Sequence, residues 1–320
     1  MRPLSHPTMT RPSQTLAARP PAARRTNPHR NPPTLDDLAS EEGLLGELAL
    51  GEMASNGVAM DGVFSTPSAA PRIVLVLGSA ADAVRARAWP RAPFAAVVAI
   101  NNAWQIRSDW DYLIHPEDFP RERWPTSLDP QTQSIVTAAD YVPVQNRFGG
   151  FVYAGGTMAF TAAYWALGAL QPDVIAFVGC DMVYGTGPQT HFYGKGAADP
   201  LREDVTLQSL EAKSLRLLAL AAQENCVLVN LSEQASSRLV YPRGSADALA
   251  QWSRSDWRGQ LQEQRASLNP LALRAALHRE SELGYMVQSG RYWEVRFTLD
   301  AAKLNALDQQ WLAVGQVQSA

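Results

Sequence analysis

Short apolar runs, each bounded by polar or turn-forming residues, recur from residue 71 onward and predict the strands of a sheet. They span residues 72–77, 94–100, 111–115, 174–178 and 226–231, with 134–137 as a weaker sixth. Runs without polar interruption are typical of parallel strands that are covered on both faces. Helical stretches alternate with them, so the pattern predicts an α/β fold with a Rossmann-like, mostly parallel sheet and helices on both faces.

Several stretches between and after these runs have helical features. Residues 80–88 and 204–223 predict helices, and residues 158–168 predict one that Gly155, Gly156 and Thr157 open. Beyond residue 244 the pattern is helical, and Asp300 is the expected N-cap of a helix over 299–312. The aromatic residues of this last region are expected to pack it onto the body, and they are Trp252, Trp257, Tyr285, Tyr292 and Trp293.

Three regions follow from this pattern. Residues 1–70 are first rich in arginine and proline and then acidic, which predicts a disordered tail. Residues 71–243 form the predicted nucleotide-binding body, with a lid loop at 182–204. Residues 244–320 form a helical C-terminal extension packed on that body.

Composition narrows the functional classes. The chain has 28 basic and 31 acidic residues, a net charge of −3, which gives no reason to expect a nucleic-acid partner. No apolar run reaches the roughly 18 residues of a transmembrane segment. Cys180 and Cys226 lie inside apolar runs, which favours a reducing compartment and hence a cytoplasmic location. The five histidines have no metal-ligand spacing, so no metal site is expected.

Polar residues follow three of the predicted strands, at the edge of the sheet where open α/β folds bind ligands. Gly78 and Ser79 follow the first run, Asn101 and Asn102 follow the second, and Asp181 follows the run at 174–178. Each is a candidate for nucleotide binding, and each equally suits a simple turn. Alanines at 81 and 83 replace later glycines of the dinucleotide fingerprint, which disfavours NAD and FAD.

Two further features predict a site near residues 153–196. Backbone N–H groups at Gly155, Gly156 and Thr157 could bind an anion at a helix N-terminus, although close helix–sheet packing also explains glycines there. The loop that follows contains Tyr184, His191, Tyr193 and Lys195 among several glycines. A titratable imidazole and two phenols in such a loop are typical of a lid, and a solvated loop histidine is the alternative.

The order of these segments resembles a known family. VLVLGSA, AINNAW, YLIHPEDF, VIAFVGCDMVY and HFYGKG succeed one another as in the small bacterial sialyltransferases of the Campylobacter type. The chain is also similar to a wider group that includes 6-hydroxymethylpterin diphosphokinase-like domains. The resemblance covers about residues 72–243. It implies a Rossmann-like sheet, a CMP-activated sugar bound without a metal or other cofactor, and a lid that closes over the sugar.

The resemblance also implies roles for individual residues in nucleotide binding. Gly78 and Ser79 match the glycine-rich turn of the family, and Asn101 matches an asparagine that contacts the nucleotide. His115 stands where the family has another such asparagine. The segment 155–157 falls on a Thr-Ser-Gly segment of the family and keeps only part of it.

The catalytic residues depart from the family pattern. Tyr184 matches one of two tyrosines that hydrogen-bond the departing phosphate, and Tyr193 is the candidate for the second. The family reads His-Tyr-x-Gly-His with the second histidine as base, whereas Lys195 occupies that position here. A lysine with its ordinary pKa of about 10.4 is a poor base near neutral pH. His191 therefore takes the role, the chemistry differs, or the activity is lost.

The function predicted on these grounds is metal-independent transfer of a sugar from a CMP-activated donor to a hydroxyl of a glycan or glycolipid. Two alternatives stay open. One is a pterin-type diphosphokinase that uses ATP and Mg²⁺, and the other is a nucleotide-binding protein without catalysis. The sequence also leaves homo-oligomerisation open.

Overall fold

A computed structural model describes residues 70–184, 190–194 and 203–315. Six parallel strands form one sheet in the order β4-β3-β2-β1-β5-β6. The strands are β1 Ile73–Leu77, β2 Phe94–Ile100, β3 Tyr112–Ile114, β4 Ser134–Val136, β5 Val174–Val178 and β6 Val227–Asn230. The prediction of a parallel, Rossmann-like α/β fold is confirmed. Residues 1–69, predicted as a tail, lie outside the described residues.

Helices connect the strands and form the C-terminal region. The α-helices are α1 Ala138–Asn146, α2 Phe151–Ala154, α3 Met158–Trp165, α4 Leu210–Gln223, α5 Ala246–Ala250, α6 Arg254–Ala266, α7 Pro270–Leu283 and α8 Ala301–Val314. Short 3-10 helices span Ala81–Arg87, Asn101–Gln105, Arg121–Arg123, Val205–Leu207, Tyr292–Glu294 and Arg296–Thr298. A π-helical turn, Ala166–Leu170, continues α3. The helical C-terminal region is confirmed, and Asp300 caps α8 as predicted.

Both faces of the sheet are covered, which explains the unbroken apolar runs in the sequence. Along β1, Val74 and Val76 join a core that includes residues of α1, α3, α4 and α8. The alternate residues Ile73, Leu75 and Leu77 join a second core with Ala81–Arg87, α5 and α6. A strand buried on both sides has no polar face, so its sequence does not alternate.

Two local predictions are wrong. The sequence pattern predicts no helix for residues 138–154, yet α1 and α2 lie there. Pro143 inside α1 removes a backbone donor and hides the helical signal. The predicted helix over 204–223 is divided, because Ser209 leaves helical geometry and its hydroxyl caps α4 by accepting from Ala212.

A buried ion pair fastens the C-terminal helices to the body. Arg216 of α4 donates two hydrogen bonds, each 2.7 Å long, to the carboxylate of Glu280 in α7. The guanidinium also donates to the Tyr164 hydroxyl, and Trp311 of α8 donates to Glu280. Burial alone would lower the pKa of Arg216, but Glu280 and Tyr164 raise it above its ordinary value. Helices α4, α7 and α8 therefore share one charged centre away from water.

A second buried ion pair joins α4 to α8. Lys213 of α4 donates to Asp308 of α8 over 2.7 Å, and both side chains are 1% exposed. Burial raises the pKa of Asp308, and the ammonium group of Lys213 opposes that rise. Since an unpaired buried charge is costly, the first pair fixes α7 on α4 and the second fixes α8 on α4.

The aromatic residues of the extension behave differently from one another. Trp257 is buried, and its ring N–H donates to the carbonyl of Asp173 over 2.6 Å. Tyr292 is also buried, but Trp293 is 50% exposed. The expectation that Trp293 packs the extension onto the body is therefore wrong. In the described part of the chain, no helix has the length and apolar composition that crossing a membrane requires.

We expect Glu280→Gln to lower the free energy of unfolding by about 3–5 kcal/mol, because it leaves the buried guanidinium of Arg216 without a counter-charge. Glu282→Gln is the matched control, since Glu282 lies on the same helix in an exposed pair with Arg279 and exposed pairs contribute little. Chemical denaturation of both variants measures the difference. Equal stability of the two variants would contradict a clamping role for Glu280.

Candidate functional site

The chain changes direction across the sheet between β1 and β5. From β1 the following strands add on one side, and β5 and β6 lie on the other. The two strand ends are tied together, because Gly78 N–H donates to Val178 over 2.8 Å and Ala80 N–H donates to Gly179 over 3.0 Å. In open α/β sheets such a switch point forms a crevice outside the carboxyl ends of the strands, where ligands bind.

Two glycines allow this close approach. A Cβ on Gly78 would lie 2.2 Å from the carbonyl oxygen of Gly179. Gly179 has a φ of +70°, and a Cβ there would lie 2.5 Å from the Cβ of Ala83. Packing alone thus accounts for both glycines, which is the alternative that the sequence left open at Gly78 and Ser79. The same packing places Ser79 at the crevice.

Three of the predicted binding residues carry buried polar atoms without a partner at strand ends. Both carboxylate oxygens of Asp181 lack a hydrogen bond within the described ranges, and the residue is 0% exposed. Asn101 Oδ1 and His115 Nε2 are likewise buried and unpartnered there. They follow β5, β2 and β3, so they flank β1 on both sides. Nearly all buried polar groups are hydrogen-bonded, so three exceptions along one edge require an explanation.

The backbone at two of these strand ends is unusual for residues with a side chain. Asn101 has a φ of 52°, and Met182, next to Asp181, has a φ of 54°. Non-glycine residues seldom adopt this left-handed region, and such strain concentrates at functional sites. Asn102 is buried in the 3-10 helix that begins where β2 ends.

His115 is held in one orientation at the end of β3. Its Nδ1 donates to the carbonyl of Pro116 over 2.8 Å, which leaves Nε2 as the atom without a partner in the described part of the chain. The ring packs against Phe119 and Trp124, with centroid distances of 5.3 and 4.6 Å. Position 115 therefore presents one fixed ring nitrogen.

Residues 190–194 form a strap across the switch point. Phe192 N–H donates to the carbonyl of Ser79 over 3.0 Å. The ring of His191 stacks on Tyr193 at 5.0 Å and lies 5.5 Å from the ring of Tyr184. The structure thus brings together three predicted catalytic residues and the Ser79 turn. Lys195 and most of the predicted lid at 182–204 lie outside the described residues.

The imidazole of His191 is buried and oriented by its neighbour. The residue is 4% exposed, and Nδ1 lies 2.9 Å from the Thr190 hydroxyl. Burial lowers the pKa of His191 below its ordinary value because the charged form loses hydration. A neutral imidazole at neutral pH can accept a proton.

The predicted anion site at the start of α3 is largely used within the protein. Thr157 is the N-cap, and its hydroxyl accepts from Phe160 N–H over 3.3 Å. Gly156 N–H donates to the Thr206 hydroxyl over 3.1 Å. Gly155 has a φ of +84° and would place a Cβ 3.0 Å from the side chain of Lys213. These contacts favour the packing explanation for the glycines.

A cavity of about 400 Å³ adjoins this helix end. It is lined by residues 116–118 after β3, by the start of α1, by residues 156–158, and by residues 289–293 of the C-terminal extension. The extension thus forms one wall of a cavity beside the predicted site. The sequence pattern did not predict that residues 289–293 line a cavity. The signal for it in the sequence is the run of consecutive Gly, Arg, Tyr and Trp residues at 290–293.

Hydrogen bonds connect that wall to the start of α3. The Tyr292 hydroxyl donates to Asp204 Oδ2 over 2.7 Å. Thr206 donates to Asp204 Oδ1 over 2.8 Å and accepts from Gly156. The cavity wall, the Asp204 turn and the helix end therefore form one network.

Neither cysteine has the properties of a catalytic nucleophile. Burial raises the pKa of Cys180 and Cys226 well above the ordinary range, so neither thiol is a nucleophile at neutral pH. Within the described ranges, no group of three or more His, Cys, Asp or Glu side chains is arranged to hold a metal ion.

Comparison of the chain with protein-family models, curated proteins and solved structures finds no match. The fold therefore defines the class on its own: the chain is a Rossmann-like α/β protein whose switch point lies between β1 and β5.

We expect Gly78→Ala to lower the free energy of unfolding by about 1–3 kcal/mol, because its Cβ overlaps the backbone of Gly179. Gly259→Ala is the control with the opposite expected sign. Gly259 lies inside α6, and a methyl group added there would have no atom within 4 Å, so alanine should stabilise the helix by about 0.5–1 kcal/mol. Thermal unfolding measures both, and a neutral Gly78→Ala would contradict the close approach of the two strand ends.

Proposed function

We propose that the protein is a metal-independent glycosyltransferase that uses a CMP-activated, sialic-acid-like donor and a hydroxyl of a glycan or glycolipid as acceptor. The observation that carries this proposal is the row of buried atoms on Asn101, His115 and Asp181, unpartnered within the described residues, beside the aromatic strap. A ligand lying along the carboxyl edge of the sheet supplies the missing partners. The choice of a CMP-activated sugar as this ligand comes from the resemblance in motif order to the sialyltransferases.

In this proposal the polar groups at the strand ends bind the donor. The two oxygens of the Asp181 side chain accept hydrogen bonds from hydroxyl groups of the donor. Asn101, Asn102 and His115 contact the nucleotide, and the Gly78–Ser79 turn lies beside it. Buried atoms already held in place lose little freedom on binding, which favours affinity.

His191 is the general base. The acceptor oxygen attacks the anomeric carbon, a new C–O bond forms, and the bond from that carbon to the phosphate oxygen breaks. CMP departs with the bonding electron pair, and His191 takes the acceptor proton. Its lowered pKa keeps the imidazole unprotonated at neutral pH. Lys195, at the position of the family base, is the second candidate for this proton.

Tyr184 and Tyr193 are proposed to stabilise the leaving group. Their rings flank His191 at 5.5 and 5.0 Å. A phenol donates a hydrogen bond, so two phenols aimed at the phosphate stabilise the negative charge that develops as the bond breaks. The proposed base, His191, and the two tyrosines that donate hydrogen bonds to the leaving phosphate thus lie within one aromatic cluster.

Ligand-induced thermal shifts test the donor. CMP without metal at about 100 times its Kd should add roughly 2.7 kcal/mol of stability, a shift of about 5–10 °C. Asp181→Asn should weaken CMP binding by roughly tenfold or more, because it replaces one of two acceptor oxygens by an amide group that only donates. Asp247→Asn, an exposed residue of α5, is the control. A response only to ATP with Mg²⁺ would support the diphosphokinase instead, and no response to any nucleotide would overturn both.

The pH dependence tests the base. Since burial lowers the pKa of His191, kcat/KM for CMP-sialic acid should fall only as pH drops below about 6.5. His191→Asn should reduce turnover by about 10²- to 10⁴-fold while CMP still binds. His278→Asn is the control, because that histidine is exposed on α7. Unchanged turnover in His191→Asn would exclude the imidazole as base.

The same titration has a consequence for folding. A histidine whose folded pKa is lowered favours the native state when it is unprotonated. The stability that depends on His191 is therefore full above about pH 6.5 and is lost as pH falls through the lower folded pKa.

A further inference from the structure

The cavity lined by residues 289–293 lies beside the strand ends that carry the candidate donor-binding residues. His115 at the crevice leads directly into Pro116–Asp118 at the cavity. On the other side, the Thr157 hydroxyl contacts Met182, the neighbour of Asp181, over 3.8 Å. The cavity lining therefore neighbours both His115 and Met182 at the strand ends.

The walls of the cavity are aromatic on two sides. Tyr141 and Phe151 meet edge to face at 6.1 Å, and Tyr292 and Trp293 do so at 5.6 Å. Trp293 keeps half of its surface exposed although it lines the cavity. A large aromatic ring left half open at a cavity mouth is available to a ligand.

The polar groups of the cavity include both donors and acceptors. Glu117 and Asp118 supply carboxylates, and Arg291 supplies a guanidinium that lies 3.3 Å from Glu117. Tyr141 is buried and contributes a phenol to the same lining. Burial, together with Glu117 and Asp118, raises the pKa of Tyr141 to about 12, so the phenol keeps its proton and can donate.

This combination selects a class of ligand. The two carboxylates outnumber the guanidinium, so the cavity disfavours binding of an anion. The guanidinium in turn disfavours binding of a cation. A hydroxyl group both donates and accepts, so a polyhydroxyl compound satisfies carboxylates, guanidinium and phenol together. The apolar C–H face of a sugar ring also suits an aromatic wall. The volume of about 400 Å³ lies in the range of small-molecule pockets.

We infer that this cavity is a binding site for a neutral sugar ring, with Trp293 and Tyr141 as its principal contacts. Its assignment as the acceptor subsite rests on the proposed function. In that role the C-terminal extension, which lies outside the family resemblance, determines acceptor specificity. The donor and the acceptor then occupy adjoining parts of the same sheet edge.

The site is tested by titrating the full chain with glucose, galactose and N-acetylglucosamine. CMP is left out, and saturation-transfer NMR detects the binding. We expect at least one sugar to bind. Trp293→Ala should weaken it on the order of tenfold, and Tyr141→Phe by roughly three- to tenfold. Phe297→Ala is the matched control, because Phe297 is an aromatic residue of the same segment, 88% exposed and outside the cavity lining.

The outcomes separate this inference from the proposed function. Absence of binding by all three sugars, binding of choline instead, or equal effects of Trp293→Ala and Phe297→Ala would each overturn the sugar site. Thermal unfolding of each variant verifies that it folds. Sugar binding that persists when CMP does not bind would remove the glycosyltransferase proposal and keep the site. With an active enzyme, Trp293→Ala should reduce transfer to the sugar substantially, whereas Phe297→Ala should not.

Discussion

The buried pair of Arg216 and Glu280 is the interaction on which the arrangement of the C-terminal half depends. It joins α4 of the body to α7, and Trp311 of α8 hydrogen-bonds the same carboxylate. A charge in a dry interior is tolerated only when its partner stays in place. The pair therefore holds α7 and α8 against the sheet. Because residues 289–293 connect these helices, the pair also holds the wall of the cavity.

A second constraint acts at the switch point, where β1 and β5 approach so closely that Gly78 and Gly179 have no room for a side chain. The carboxyl ends of neighbouring strands then meet along one edge. Asn101, His115 and Asp181 keep atoms there that have no partner among the described residues, although a single hydroxyl or amide nearby would satisfy each. Unpartnered buried atoms also occur elsewhere among the described residues, on Gln145, Tyr241 and Asp308. Those of Asn101, His115 and Asp181 are distinguished by their position at strand ends, where a bound ligand would supply the missing hydrogen bonds.

Particular elements show why some predictions from sequence succeed and others fail. The pattern predicts strands β2 and β5 to the residue, because an apolar run between turn residues has few alternatives. It misses helix α1 because Pro143 contradicts helical propensity and only packing on the body compensates. Residue type alone places Trp293 in the core, but burial depends on which neighbours the chain brings near it.

The sequence by itself determined the six strands, the parallel sheet and the candidate polar residues at strand ends, because these depend on local periodicity and on general rules of chain connection. Tertiary structure alone decided which of those residues meet. It brought the rings of Tyr184 and Tyr193 to 5.5 and 5.0 Å from that of His191 and bonded Phe192 to Ser79, and it placed residues 141 and 293 in the lining of one cavity. Contacts between distant segments follow from packing and buried charge pairs, and no local pattern encodes them.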